Sequence, residues 1–130
     1  MSHFSTVRTE LRDRDALMAA LKDLGQTPTE SQQLVRGYKG ETLIAELCCV
    51  QPDGGDIGFR WNPKEDRYEL VTDLQLWSLP VPLERFMAEL TQRYALHSII
   101  KSANSEGYEL AEQRLSADGT IELVVTRWQG

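Results

Sequence analysis

The stretch that decides the fold is residues 80–128, PVPLERFMAELTQRYALHSIIKSANSEGYELAEQRLSADGTIELVVTRW. Apolar residues recur at spacings of three and four from Leu83 to Tyr94, which predicts a helix. After Gly107 the period falls to two, and this predicts strands at 108–115 and 120–126 joined by a turn at Asp118-Gly119. A long helix that leads into a hairpin indicates an α+β fold.

The apolar residues of this helix do not share one side. At 100° per residue they form two sets on roughly opposite sides: Leu83, Phe86, Met87, Leu90 and Tyr94 first, then Ala95, Ile99, Ile100 and Ala103. A straight helix would need partners on both flanks. We therefore expect a bend or break near residues 94–97, giving two helical pieces that wrap a sheet.

The chain upstream adds one helix and several strands. Strand patterns are predicted at 2–8, 33–38, 42–50, 57–62 and 67–72, and a helix carries Leu17, Met18, Leu21 and Leu24 before Gly25. Residues 26–32 are predicted to be a polar connector. The connections after residue 33 are too short for parallel crossovers, so the strands should be antiparallel. We predict a single domain over 1–130 in the order β-α-β-β-β-β-α-β-β, with a sheet of six or seven strands and two or three helices mainly on one face.

Composition excludes several classes of function. A formal charge of −6 argues against DNA binding and makes RNA binding improbable, since phosphate recognition needs a concentrated positive surface. It also disfavours an anionic membrane surface. No apolar run reaches the length of a bilayer span, and the first residues lack the features of a secretory signal. These features predict a soluble protein of a reducing compartment.

The chemistry-bearing residues form no recognisable catalytic or metal site. The two histidines, His3 and His97, and the adjacent Cys48 and Cys49 have no zinc-type spacing. Because strand side chains alternate, one thiol should face the core and the other the opposite side, both reduced. Gly54-Gly55 lacks a phosphate-loop or dinucleotide pattern and is predicted to be a turn. We therefore expect no cofactor and no metal. A solvated surface is expected for the carboxylates of Asp53, Asp56, Glu65, Asp66, Glu69, Asp73, Glu109, Glu112 and Glu122. On the last hairpin this means cross-strand pairing on an exposed face; the alternative is a covered face on which Glu112 or Glu122 needs Arg114 or Arg127 as a partner.

One segment stands out as a candidate partner-binding surface. Aromatic and basic residues are concentrated in a predicted hairpin, at Arg60, Trp61, Lys64, Arg67 and Tyr68. Arg, Trp and Tyr are enriched in interface hot spots, and Arg with aromatic residues also stacks single-stranded bases. The alternative is that the aromatic rings alternate into the core while the arginines stay hydrated. The last strand carries a second expectation, that Leu123 is a buried core residue on one face with Ile121 and Val125.

Three short motifs carry a family resemblance: MSHFS at 1–5, LKDLG at 21–25, and Tyr94 followed by GYEL at 107–110. The chain resembles the conserved hypothetical chloroplast open reading frame (number thirty-five) family of cyanobacteria and algal plastids, a domain-of-unknown-function family. The resemblance covers essentially the whole chain. It implies a cyanobacterial cytoplasm or plastid stroma, and it supplies no catalytic or ligand residue.

The residues favour a non-enzymatic binding or accessory protein of a photosynthetic cell that acts on a protein partner. One alternative is a small-molecule-binding or enzymatic domain with a pocket between sheet and helices, lined by Tyr94, Tyr108 and a carboxylate. A second is a single-stranded RNA binder, which requires Arg60, Trp61, Arg67 and Tyr68 to be exposed on one face.

Overall fold

The computed structural model describes residues 3–30 and 33–127. Ser2 of the first predicted strand, residues 31–32 of the predicted connector and Trp128 lie outside the described residues. The elements are, in chain order, β1 (Phe4–Arg8), α1 (Arg14–Asp23), β2 (Pro28–Thr29), β3 (Gln33–Arg36), β4 (Thr42–Ala45), β5 (Leu47–Cys49), β6 (Ile57–Asn62), β7 (Arg67–Asp73), α2 (Leu83–Ser105), β8 (Tyr108–Leu115) and β9 (Ile121–Arg127). Single 3₁₀ turns cover Tyr38–Gly40 and Leu74–Leu76.

The predicted α+β class with antiparallel pairing is confirmed. A five-stranded antiparallel sheet has the order β1-β7-β6-β5-β2, and β3-β4 and β8-β9 form two separate hairpins. The strands are thus divided among three sheets where the sequence analysis expected one sheet of six or seven. The short strand β2 lies within the segment that we expected to be a connector, and it pairs with Cys48 and Cys49.

The division arises in the predicted strand at 42–50, which bends at Glu46. Residues before the bend pair with β3, and residues after it pair with β6. The Glu46 carboxylate accepts a hydrogen bond from the Trp61 backbone N–H at 2.8 Å. That bond satisfies a donor of β6 at the point where β4 has left the sheet.

Each face of the five-stranded sheet has its own cover. On one face α1 and α2 bury a cluster that contains Leu17, Leu21, Phe59, Leu70 and Leu90. On the other face the β3-β4 hairpin closes a smaller cluster: Val35, Ala45, Cys48 and Val71, with Phe4 and Leu43 packed against it. The expectation that helices lie on one face is confirmed, and the second face is covered by a hairpin.

Helix α2 is continuous over 23 residues, so the expected break into two helical pieces near residues 94–97 is wrong. Both of its apolar sets have partners within one helix. Phe86, Leu90 and Tyr94 pack into the cluster beneath the helices, while Ala95 and Ile99 face the β8-β9 hairpin. The two opposed apolar sets in the sequence therefore report two neighbours of one helix.

The β3-β4 hairpin is attached to the sheet by buried carboxylates, which corrects the expectation of a solvated surface for Asp56 and Asp73. Both residues are 0% exposed. Asp56 accepts hydrogen bonds from the backbone N–H of Arg36 at 3.0 Å and of Gln51 at 2.8 Å. The Arg36 guanidinium binds the same carboxylate at 2.8 and 2.9 Å. Asp73 accepts the Tyr38 N–H at 2.8 Å, so two carboxylates hold the hairpin in place.

Gly58 lets this hairpin approach the sheet. A Cβ at this position would lie 2.4 Å from Cγ2 of Val35, and 3.2 Å from the Cβ of Ala45. Only a residue without a side chain fits beneath Val35 without displacing the hairpin. Gly58 lies inside strand β6, where no unusual backbone conformation requires a glycine. The close approach of Val35 explains it instead.

The two cysteines lie on opposite faces of β5, as alternation predicts. Cys49 belongs to the cluster under the helices and Cys48 to the cluster under the β3-β4 hairpin, and both are free thiols. Burial raises the pKa of Cys48 to about 11 and that of Cys49 to about 12. Thiolate, the reactive form, is therefore scarce at neutral pH.

We expect neither cysteine of the native protein to react with iodoacetamide within minutes at pH 7.5, because both thiols are buried and protonated. After unfolding in guanidinium without reductant, both should be alkylated. Intact mass spectrometry counts the labels directly. A protein that gains no label in guanidinium until reductant is added would contain a disulfide and contradict the assignment.

A second prediction concerns the buried carboxylate. Burial acts to raise the pKa of Asp56, but hydrogen bonds from Arg36 and Gln51 outweigh it and hold the pKa below its ordinary value of 3.8. Replacing Asp56 with Ala leaves two backbone N–H donors without their acceptor. We expect a loss of about 1–3 kcal/mol in the free energy of unfolding at pH 7, measured by urea melts.

The pH dependence follows from the direction of the shift. Because the pKa of Asp56 is lower in the folded than in the unfolded protein, its ionised carboxylate stabilises the folded state above about pH 4. This stabilisation is lost as the pH falls through the folded-state pKa. The difference between wild type and Asp56→Ala should therefore narrow below pH 4. The control is Asp53→Ala in the same turn, where the side chain is exposed and a change within about 0.5 kcal/mol is expected. Equal losses in the two variants would refute the anchoring role of Asp56.

Candidate protein-binding surfaces

The aromatic residues of the predicted binding hairpin turn toward the core. Tyr68 is 6% exposed, and Trp61 packs edge-on against its ring with the ring centroids 4.9 Å apart. Both residues lie on the sheet face that the helices cover, because Trp61 pairs with Tyr68 across β6 and β7. The aromatic half of the expected surface therefore contributes mainly to packing.

The basic residues of the hairpin lie on the other face of the sheet or in the turn. Arg60 approaches Glu69 at 3.4 Å across the strands, and Arg67 binds the Glu10 carboxylate at 2.5 Å. Lys64 is exposed in the turn between β6 and β7. The strand alternation places Arg60 and Arg67 on the opposite face of the sheet from Trp61 and Tyr68.

The structure thus does not bring Arg60, Trp61, Arg67 and Tyr68 together on one exposed face. Base stacking on this hairpin would need that arrangement. Lys64 remains accessible, and contact of the turn with a protein partner stays a prediction. Within residues 3–30 and 33–127, another exposed apolar surface lies beside the second half of α2.

That surface is a cleft between the second half of α2 and the β8-β9 hairpin. Its volume is about 570 Å³. The helix contributes Gln92, Ala95, Leu96 and Ile99, and the hairpin contributes residues 118–121 and Leu123. A second, smaller hollow also borders Ile99, and its other lining residues come from α2 alone: Ser98, Ser102, Ala103 and Glu106. We call the two together the α2 cleft.

The β8-β9 hairpin is amphipathic, and only part of its apolar face is covered. One face carries Tyr108, Leu110, Gln113, Leu115, Ile121, Leu123, Val125 and Arg127, and the other carries Glu109, Glu112, Arg114, Glu122, Val124 and Thr126; the register shifts between Leu110 and Glu112. Leu115 is 75% exposed and Val125 39% exposed. The expectation that Leu123 is a buried core residue is wrong, because its face lines an open cleft and the side chain is only half-buried.

The polar face of the hairpin is solvated, as cross-strand pairing predicts. Arg114 forms a two-pronged hydrogen bond to Glu112, at 2.6 and 2.7 Å, and lies 3.8 Å from Glu122. Ion pairs at such exposed positions stabilise a fold weakly. The apolar face is therefore the side of the hairpin on which a partner would gain most from burial.

The tip of the hairpin is tied to the helix and carries a fixed negative charge. Gln92 donates a hydrogen bond from its side-chain amide to the Gly119 carbonyl at 2.9 Å. Hydrogen bonds from Ser116 and Thr120 lower the pKa of Asp118 to about 2, so this carboxylate is ionised at neutral pH. Among the described residues that line the α2 cleft, the ionisable ones are Asp118 and Glu106, both acidic.

The opposite side of α2 is already occupied by α1. The Asp23 carboxylate lies 2.6 Å from Nε2 of His97 and 2.9 Å from the Arg93 guanidinium. Lys101 binds Asp13 at 2.6 Å. The Tyr94 hydroxyl accepts hydrogen bonds from the backbone N–H groups of Arg12 and Asp13, so it serves the start of α1. These contacts fix α2 as a wall of the cleft.

No group of three or more His, Cys, Asp or Glu side chains within residues 3–30 and 33–127 is arranged to hold a metal ion. Neither α-helix in these ranges combines the length and the apolar character of a membrane-crossing segment.

Sequence reasoning missed the α2 cleft although its signals were present. The second apolar set of α2 includes Ala95 and Ile99, and the last strand alternates apolar and polar residues. Both patterns identify apolar surface. Neither predicts how completely α2 and the β8-β9 hairpin pack against each other. The aromatic-basic hairpin was conspicuous only because its residues are adjacent in sequence.

The comparisons with known proteins agree with the resemblance found from the sequence. The chain is 41% identical to the uncharacterized protein ycf35 of Guillardia theta over 129 residues, which is 99% of both chains. It is 38% identical to that of Pyropia yezoensis over 98% of both chains, and 33% identical to that of Cyanophora paradoxa over 99% of both. These relatives are plastid-encoded. No solved structure matches the chain. Residues 20–124 match the family described as protein of unknown function (DUF1257), and the chain belongs to that family.

Proposed function

We propose that this protein is a non-enzymatic binding or accessory protein of a photosynthetic cell, and that it acts by protein–protein contact through the α2 cleft. The observation that carries the proposal is the half-covered apolar face of the β8-β9 hairpin beside α2. Exposed apolar surface of this continuity on a folded domain is typical of an interaction site. Plastid-encoded relatives of nearly the same length support the cellular setting.

The α2 cleft has the properties that a protein interface needs. Ile99 is 53% exposed at its centre, and Leu123 and Ile121 face it from the hairpin. Apolar side chains at the centre with polar groups at the edge are the usual layout of a binding patch. Rigid α2 forms one side, so a partner would pay little ordering cost on that side.

A small molecule is the second candidate, and the volume of the cleft favours it. About 570 Å³ is within the usual range of ligand pockets. The polar groups expected for that role are arranged differently, since the Tyr94 hydroxyl serves the start of α1 and Tyr108 stacks with Arg127 on the hairpin. A protein partner therefore remains the leading proposal.

Charge placed at the centre of the cleft tests the proposal. In Ile99→Glu, a carboxylate replaces a half-exposed apolar side chain, so the fold should persist while partner binding is weakened. We expect proteins crosslinked to the tagged wild type in a lysate of its own cells to be recovered about tenfold less with Ile99→Glu, a loss typical of an interface hot spot. Quantitative mass spectrometry of the captured proteins gives the ratio.

Ile44→Glu is the matched control, because Ile44 is 56% exposed on the β3-β4 hairpin, away from the cleft. Its capture profile should equal that of the wild type, and circular dichroism should show all three proteins folded. If no protein depends on Ile99, or if the Ile44 variant loses the same partners, the α2 cleft is not the interaction surface.

A further inference from the structure

We propose that the α2 cleft receives an amphipathic helix of a different protein, one whose apolar stripe is flanked by basic residues at both ends. This inference rests on the proposed function and specifies the partner of the same surface. The partner segment is thus defined as helical, basic at its ends and part of a different protein.

The dimensions of the cleft suit a helix. Its lining runs along α2 from Gln92 to Glu106, which at 1.5 Å per residue is roughly 21 Å, or about four turns of a partner helix. The wall formed by α2 presents small side chains at Ala95, Ser98, Ser102 and Ala103, with Ile99 between them. Small residues let a second helix approach closely, and Ile99 would project between its side chains.

The charges at the two ends of the cleft determine the sign of the partner. Asp118 lies at the end near the hairpin tip, and Glu106 lies at the end where α2 terminates. The carboxyl end of a helix also carries a partial negative charge, and the last turn of α2 contains no basic residue that would offset it. Basic side chains about four turns apart on the partner would meet both negative ends.

A second copy of this chain is a poor source of that helix, because both helices among the described residues are already packed. The apolar side of α1 is buried through Leu17 and Leu21, and α2 is engaged by α1 on one flank and by the hairpin on the other. An α-helix of one copy would have to leave its own core before it could enter the cleft of another. The occupant is therefore a helix supplied by a different protein.

The experiment uses the full chain and a designed probe. The probe is a fluorescein-labelled 18-residue peptide with Leu and Ala at helical spacing on one side and Lys at both ends. One comparison peptide replaces each Lys with Glu, and another keeps the composition but distributes the Leu residues around the helix. Fluorescence anisotropy in 50 mM salt measures the dissociation constants for the wild type, Ile99→Glu, Ile44→Glu and Glu106→Gln.

We expect the Lys peptide to bind the wild type and Ile44→Glu equally, and to bind Ile99→Glu about tenfold more weakly. Both comparison peptides should bind at least about tenfold more weakly than the Lys peptide. Glu106→Gln should weaken binding about threefold in 50 mM salt and much less in 500 mM salt, since exposed charges are screened. Circular dichroism and urea melts identify any variant that has lost its fold.

The following results would overturn the inference. Equal binding by Ile99→Glu would place the peptide elsewhere, and equal binding of the Glu peptide would remove the basic partner. A wild-type dimer in sedimentation that Ile99→Glu dissociates would assign the cleft to a second copy. If no helical peptide binds while the lysate capture still depends on Ile99, the helical occupant is wrong and the proposed function stands. If neither depends on Ile99, both fail.

Discussion

The structure depends most on the buried carboxylate of Asp56 and the groups that surround it. A carboxylate with no exposure is tolerated only where charge and hydrogen bonds replace the lost water, and here Arg36 and two backbone N–H groups do so. The interaction joins the residue just before β6 to the end of β3, across the second face of the sheet. Through it the β3-β4 hairpin becomes a cover for Val71 and Cys48, and the sheet obtains a closed core on both sides. Gly58 makes the same arrangement possible from below, because it leaves space for Val35.

Helix α2 links this closed core to the open part of the molecule. Its first half is anchored in the cluster under the helices by Phe86 and Leu90, and its flank is held to α1 by the Asp23, His97 and Arg93 contacts. The second half projects a different side, with Ala95 and Ile99, toward the β8-β9 hairpin. One rigid element therefore serves two functions in the fold, as a core helix and as the wall of a cleft.

The sequence was sufficient for the class of the fold and for both α-helices, whereas the strand count was too low because β2 was missed and β4 and β5 were predicted as one strand. Period and turn residues identified α1, α2 and the strands, since these depend on local spacing. It was insufficient where distant contacts decide. The bend at Glu46, which removes β3 and β4 from the main sheet, depends on what β6 pairs with. The burial of Asp56 and Asp73 depends on the distant donors Arg36 and Tyr38, which are 20 and 35 residues away along the chain. For the candidate site, the composition around Trp61 and Tyr68 pointed to residues that the strand register places on the covered face of the sheet. The exposure of Ile99 and Leu115 arises because the β8-β9 hairpin does not close fully on α2. No local sequence pattern encodes how completely two such elements pack.

The sparse cover of the β8-β9 hairpin has a consequence for how the molecule fluctuates. Residues 111–120 are exposed throughout, whereas the central strands lie between two buried clusters. Segments with few buried contacts open in local, low-energy excursions, and core strands open only when the whole domain unfolds. The backbone amides of β8 and β9 should accordingly exchange with solvent deuterium far sooner than those of β6. In this sense the hairpin is a separate cooperative unit. The free energy of its local opening from α2 can change without a change in the free energy of global unfolding.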